Sequence, residues 1–433
     1  MAVIRYFLSS AGAIMPVGEE FVLLYDGTGI IELEGVSNSN TSPGRISFAS
    51  AGDGSVWLNL VESEASDPIH NIRIVRPQHE FDDLLSEPFY EGFIDKIDPF
   101  NTLRFMDWGN TNNNPISQWN NRTLPTYRTY ATNTGVPYEI MIQLANTLQQ
   151  DVWLCIPHAA DNDYINQLAT LFATELDPNL TIYLEYSNEV WNWIFEQAHY
   201  NLENGPDHLN YGRIYAERAK NTFVIWHNIF GLTEQHRVKR VLGIQATFTY
   251  LNEQILAHLS PNDWDYGSPT HYYGLNHESD GNPVLHPSST PEDIINNSRN
   301  YWYDNIGYFK QDYDNIKIYG KEIITYEGGQ HFVGNVFGIP YDYQQAMWDA
   351  QYEPEMYTLY DEVLDSIRSW GCRVAMNFSL ASRQESIYGS WGVLNDIDTP
   401  LPYLDTAPKY QALLDNISNP CVLICSPHSA KKT

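Results

Sequence analysis

Positive charge is what this chain has least of: 24 Lys and Arg stand against 54 Asp and Glu, a formal net charge of −30. Such a surface repels phosphate backbones and anionic bilayers, which argues against nucleic acid or an anionic membrane surface as a partner. Heavily sulfated or uronate-rich glycans are disfavoured too, unless a local basic patch overrides the global field. The same acidity also suits a saline medium, in which self-repulsion is screened. Cysteine is scarce, with four in 433 residues, too few for a disulfide framework. Cys155 falls in an expected strand and Cys372 at the start of another, and both read as buried thiols. Cys421 and Cys425 are close enough in sequence to bridge, and equally could stay free. No CxxC, HExxH or Cys/His cluster of zinc spacing occurs, so no metal ligands are predicted. No glycine-rich phosphate loop follows a strand, and no run is long and apolar enough to span a bilayer. The opening Met1-Ala-Val-Ile-Arg-Tyr-Phe lacks the unbroken apolar core of a secretory leader. A trimmed chain, or one exported by another route, would look like this.

Apolar and aromatic residues, in contrast, are plentiful: 43% hydrophobic, 14% aromatic, with 12 Trp and 30 Tyr. That supports a large core. Tryptophans at strand ends and in Gly/Asn-rich loops also suit platforms on which sugar rings stack. Residues 1–68 alternate short β-rich runs with turns such as Asp26-Gly-Thr-Gly and Ala51-Gly-Asp-Gly, predicting a small antiparallel sheet or sandwich. The tail 419–433, with Cys421–Cys425, could add a strand to it. From 69 to 418 the pattern becomes strand–helix repeated. Strands are expected at 71–75, 102–107, 152–156, 181–186, 238–245, 264–273, 322–326 and 373–378. Eight such units predict a (β/α)₈ TIM barrel rather than an open doubly wound sheet.

In a barrel of this kind functional groups gather where the strands end at their C-terminal edge. There the second strand brings Arg104, the third His158, the fourth Asn188 and Glu189, the sixth His271 and Tyr272, and the seventh Glu327. Trp391 follows the eighth. Around them lie Trp108, Trp191 and His331. Two carboxylates at the mouth are what glycosidic hydrolysis needs: one to protonate the leaving oxygen, one to attack the anomeric carbon. One group of such a pair must keep its proton and the other must be ionised; Arg104 and the Tyr272 hydroxyl are expected to lower the pKa of Glu327. Glu185, two residues before Ser187, is expected to face away from Glu189 in an inward ion pair. A bland reading competes at each position: an ion pair for Arg104, a turn for His158, a structural imidazole for His271, loop core for Trp108.

Taken in order, Asn188-Glu189, Glu327, Arg104, His158, Tyr272 and Trp391 resemble the pattern of clan A glycoside hydrolases, the barrel superfamily of many cellulases and mannanases. The segment Tyr186-Ser-Asn-Glu-Val-Trp-Asn192 is similar to a motif in uncharacterised bacterial barrel proteins. The resemblance implies retaining hydrolysis of a β-linked glycan with Glu189 as acid/base and Glu327 as nucleophile, needing neither cofactor nor catalytic metal. A neutral mannan, xylan, glucan or galactan cut internally, by a secreted or cell-surface protein, is the expected setting. A non-catalytic carbohydrate-binding protein on a barrel scaffold is the rival expectation. Oligomeric state is not legible.

Overall fold

The computed structural model describes residues 4–7, 17–52, 54–83, 86, 88–127, 129–206, 208–276 and 285–418. It divides into two compact units, Met1–Phe89 and Tyr90–Thr433.

The first unit is all β. One antiparallel sheet holds Ile4–Phe7, Trp57–Ser63 and Gly29–Glu34; the other holds Val36–Ser42, Arg45–Ser50, Glu20–Asp26 and His70–Val75. Phe21, Leu23, Tyr25, Ile46 and Phe48 of the second sheet share one core with Ile31 and Leu58 of the first, which makes a small sandwich. The strand expected first in the barrel lies here instead: His70–Val75 pairs antiparallel with Glu20–Asp26. Only Val75 of that strand is buried. A barrel strand buried on both faces would be apolar throughout, and His70-Asn-Ile-Arg-Ile-Val is not.

The second unit is a (β/α)₈-type barrel. Seven parallel strands run edge to edge as Thr102–Arg104, Asp151–Ile156, Ile182–Tyr186, Val238–Gly243, Tyr266–Ser268, Glu322–Thr325 and Cys372–Ala375. Neighbours in the sheet are neighbours in sequence, the signature of a singly wound barrel. Helices intervene, among them Asn162–Glu175, Tyr211–Glu234, Pro291–Lys317 and Pro354–Ser369. Two of them start on side-chain caps of the usual kind: Asp161 accepts from the Tyr164 amide, and Thr290 with Asp293 forms a capping box. Every residue of Ile182–Tyr186 is buried, because sheet neighbours and the helical layer cover it on all sides. Removing its Leu184 side chain would cost about 2–5 kcal/mol.

Two strands depart from their expected extents. The sixth splits at Pro269 into Tyr266–Ser268 and His271–Tyr273, since proline has no amide proton to give to the ladder. The seventh breaks at Tyr326-Glu327 and resumes as Gly328–Gln330, which pairs in parallel with His271–Tyr273. This short second ladder extends the barrel wall beyond the main sheet and frames Glu327.

Candidate active site

The site is built around a buried guanidinium. Arg104, last residue of its strand, donates from Nη1 to Glu327 Oε1 at 2.6 Å and from Nη2 to Glu185 Oε2 at 3.0 Å. Nη2 also reaches Asn188 Oδ1 at 2.9 Å. The planar fork allows one arginine to serve three acceptors. Glu185 is held further by Trp153 Nε1 at 2.9 Å. It therefore makes the inward ion pair expected of it. Burial of these charges costs free energy that their mutual hydrogen bonds must offset.

The two carboxylates of interest are dressed differently. Glu327 Oε2 accepts from the Tyr272 hydroxyl at 2.9 Å. Burial pushes its carboxyl up to about 7; the Arg104 charge and the hydrogen bonds from Tyr272 and Arg104 oppose the shift, while the Glu189 charge adds to it. The sequence led to the opposite expectation, a lowered pKa. Desolvation outweighs the ion pair because the pair sits inside the protein. Glu189 accepts from the Tyr326 hydroxyl at 2.9 Å and from Asn192 Nδ2 at 3.0 Å. Its backbone is left-handed, with φ 42°, as is Ser187 with φ 59°. Such conformations cost a non-glycine residue of order 1–3 kcal/mol, and here they end the strand and turn the Glu189 carboxylate out into the mouth.

Tyr272 and Tyr326 are both kept neutral by burial, which raises their phenols well above the ordinary value. They remain donors throughout. The Tyr272 ring meets His331 and Trp391 edge-on, each at 5.7 Å, and His331 meets Trp391 at 5.0 Å. Trp391 is half-buried and tied by Nε1 to the Tyr388 carbonyl at 2.9 Å. These three rings gather beside Glu327. On the other side a cavity of about 490 Å³ is lined by Glu189, Trp191, Trp193, Gln245, Thr270 and Tyr326. Trp191 is buried against Tyr215 and Tyr326, so it shapes this wall more than it offers a face.

Other candidates lie elsewhere or act indirectly. His271 is fully buried, with Nδ1 2.8 Å from Thr325 Oγ1, and burial pushes its imidazole down to about 3. Its backbone amide donates to the Glu327 carbonyl at 3.0 Å. It is a wedge beneath the Glu327 turn, and Gly328 is required there: a Cβ would lie 2.1 Å from that ring. His158 packs on Tyr200 at 5.0 Å, and burial followed by the Arg218 charge lowers it to about 4. Its ring contact is with Tyr200 of the helix Glu196–Glu203, not with the carboxylates. Trp108 packs on Phe93 and Phe105, which is the loop-core reading. Asn188 donates its amide to Asn112 Oδ1 at 3.1 Å.

Sequence reasoning missed three partners. Tyr326, the residue before Glu327 at the break of the seventh strand, donates to Glu189 rather than to its neighbour. Asn192 lies within the quoted motif, three residues after Glu189. Gln197, which fixes the Asn188 carbonyl at 2.8 Å and Asn112 Oδ1 at 2.6 Å, had no signal in the sequence. Cys155 is a buried free thiol as expected, whereas Cys372 is half-buried; Cys421 and Cys425 lie outside the described residues. Among the described residues no three His, Cys, Asp or Glu gather as a metal site would require, and no helix is long and apolar enough to cross a membrane.

No family model matches the chain, and no curated protein does. Similar solved structures include the GH51 arabinofuranosidase from Xanthomonas axonopodis pv. citri, 13% identical with TM-score 0.42 over 67% of this chain and 59% of that one. The GH1 β-glucosidase from Exiguobacterium antarcticum B7 is also 13% identical, with TM-score 0.42, covering 77% of this chain and 87% of that one. A GH5 xyloglucan-specific endo-β-1,4-glucanase from a metagenomic library, in complex with cellotriose, is 12% identical with TM-score 0.39, covering 76% of this chain and 88% of that one. The chain spans 59% of the length of the arabinofuranosidase. These neighbours are (β/α)₈-barrel glycoside hydrolases.

Proposed function

We propose that this chain is a retaining glycoside hydrolase acting on a β-linked glycan, with Glu189 as acid/base and Glu327 as nucleophile. The observation that carries the reading is the pair of carboxylates at one barrel mouth, each held by its own donors. Arg104 and Tyr272 aim Glu327; Tyr326 and Asn192 aim Glu189. In the first step Glu189 gives its proton to the glycosidic oxygen as Glu327 attacks the anomeric carbon. The C–O bond breaks, the alcohol leaves, and an ester joins sugar to Glu327. The ester neutralises Glu327, so Glu189 can then take a proton from water, whose oxygen displaces Glu327 and restores both carboxyls. Arg104 and Tyr272 stabilise the carboxylate as it leaves. Trp391 and His331 offer a ring wall for the sugar bound to Glu327, and Trp193 one for the departing side.

A neutral polysaccharide such as mannan, xylan, glucan or galactan, cut internally, fits an acidic protein with aromatic walls on both sides of the carboxylates. Secretion or display at the cell surface follows from such a substrate. The test is reducing-sugar release from a panel of these glycans by the wild type, Glu189→Ala and Glu327→Ala, with the anomer first formed read by proton NMR. Release lost in both variants, with the β-anomer formed first, supports the reading. Release insensitive to both variants overturns the assignment. Binding of a glycan without release by the wild type points to the rival carbohydrate-binding role.

A further inference from the structure

Lys409 is the one buried lysine among the described residues, with 1% of its surface exposed. It lies in the first turn of the helix Pro408–Ser418, where the helix dipole disfavours a cation and no acidic residue offsets it. Burial lowers its pKa well below the ordinary lysine value. Among the described residues no carboxylate pairs with it; its partners are amides and a peptide carbonyl. Lysine is almost never fully buried without a counter-ion, so the contacts it makes must account for its place.

Its Nζ donates to Gln351 Oε1 at 2.9 Å, to Gln384 Oε1 at 2.7 Å and to the Ser390 carbonyl at 2.9 Å. That uses all three donors of an ammonium group. Gln384 and Ser390 belong to the loop that follows the strand Cys372–Ala375 and carries Trp391. Gln384 passes the constraint on, since its Nε2 donates to the Gly392 carbonyl at 2.7 Å. The Ser390 hydroxyl donates in turn to the Gln384 carbonyl. A second donor reaches the Ser390 carbonyl, Gln330 Nε2 at 2.5 Å, from the short strand Gly328–Gln330 that follows Glu327. Both neighbours of Trp391 are therefore held from behind, Ser390 directly and Gly392 through Gln384. The indole itself is left against Tyr272 and His331. Gly389 makes this turn possible, with φ 119° and room for no Cβ, which would lie 2.3 Å from the indole.

We propose that Lys409 is a positioning residue for the glycan site: its ammonium gathers Gln351, Gln384 and Ser390 behind the loop and so fixes the Trp391 ring beside Glu327. The inference rests on the proposed use of Trp391 as a ring wall for the sugar. It gives a task to a buried charge that touches neither carboxylate. A stacking face serves a sugar only in one orientation, and a side chain carried by a loop is held there by the hydrogen bonds beneath it. An apolar side chain would fill the same space, yet it would leave two amide oxygens and a carbonyl without their donor.

Lys409→Met in the full chain tests this, because it removes the three donors and little of the side chain's length. The first readout needs no turnover: the indole N–H signal of Trp391 in a proton–nitrogen NMR spectrum, assigned by its loss in Trp391→Phe. That signal is expected to shift or broaden in Lys409→Met, while the signal of Trp193, in the cavity beside Glu189, stays where it is. The second readout is hydrolysis of a glycan that the wild type cleaves. KM should rise about tenfold with kcat little changed, as for lost binding that ground and transition states share. In a Trp391→Ala background the same substitution should change kcat/KM by less than about twofold, since the ring it positions is gone. An unmoved Trp391 signal overturns the proposal, as do equal losses in both backgrounds. If the wild type cleaves no glycan, the hydrolase reading fails and the indole signal alone decides the positioning. Should Lys409→Met not fold, Lys409→Gln, which keeps an uncharged donor, is read in the same way. Failure of both variants to fold makes the lysine a stability element and overturns the positioning role.

Discussion

Replacing Tyr272 by Phe removes one hydrogen bond and nothing else of size. The hydroxyl donates to Glu327 Oε2 at 2.9 Å, while the ring contacts with His331 and Trp391 remain available to phenylalanine. A hydrogen bond to a carboxylate favours its ionised form, so its loss raises the pKa. Bonds to charged groups are worth about 1.5–3 kcal/mol. At 2.9 Å this one is longer than the 2.5–2.7 Å typical of O–H donors to carboxylates, which argues for the lower end. About 1.4 kcal/mol corresponds to one pH unit, so Glu327 should move from about 7 to roughly 8. The acid limb of kcat/KM, which reports the free enzyme, then shifts up by about one unit. At pH 7 the ionised fraction falls from about one half to about one in eleven, a loss of about fivefold that vanishes by pH 9 to 10. An aryl β-glycoside serves as substrate, and carbon-13 NMR of labelled glutamate carboxyls gives the same titration without turnover. An unmoved or lowered acid limb, or an activity loss equal at all pH values, would refute the account of what Tyr272 does.

Arg104→Met leaves Glu185 and Glu327 buried without their cation, and breaking such a pair costs about 3–5 kcal/mol. Chemical denaturation should show that loss, with part regained in Arg104→Met combined with Glu185→Gln. Gly328→Ala drives a methyl against the His271 ring, for which overpacking costs about 1–3 kcal/mol. Both thermal stability and kcat are expected to fall, since the Glu327 turn must move to admit it. Glu189→Ala should lose about 10²–10⁴ in kcat on polysaccharide, where the leaving alcohol needs a proton. On an aryl glycoside with an acidic leaving group the same variant should lose far less; equal losses on both substrates would remove Glu189 from the acid role.

The barrel and its two carboxylates were legible in sequence for different reasons. Continuous apolar runs such as Val152–Ile156 and Ile182–Leu184 fit strands buried on both faces, as in a parallel sheet. Their regular alternation with helical periodicity left few other topologies. Glu189 and Glu327 stood out because each interrupts such a run at its C-terminal end. The inward pairing of Glu185 also followed from strand alternation alone, since a carboxylate in mid-strand must find a cation. Those are local properties, readable one segment at a time.

What the sequence could not supply depends on which segments meet. The run His70–Val75 contains enough β-forming residues to pass for a barrel strand, and only its antiparallel register with Glu20–Asp26 removes it from the ring. The sign of the Glu327 shift is likewise a tertiary quantity. Arg104 and Tyr272 both favour its charge, yet enclosure by the barrel wall outweighs them. His271 and Tyr272 are neighbours in sequence, and the pleat sends one beneath the turn and the other onto the carboxylate. Periodicity determines that a segment is a strand and which face is apolar; register and burial, set by chains distant in sequence, decide what each side chain touches and how much water it keeps.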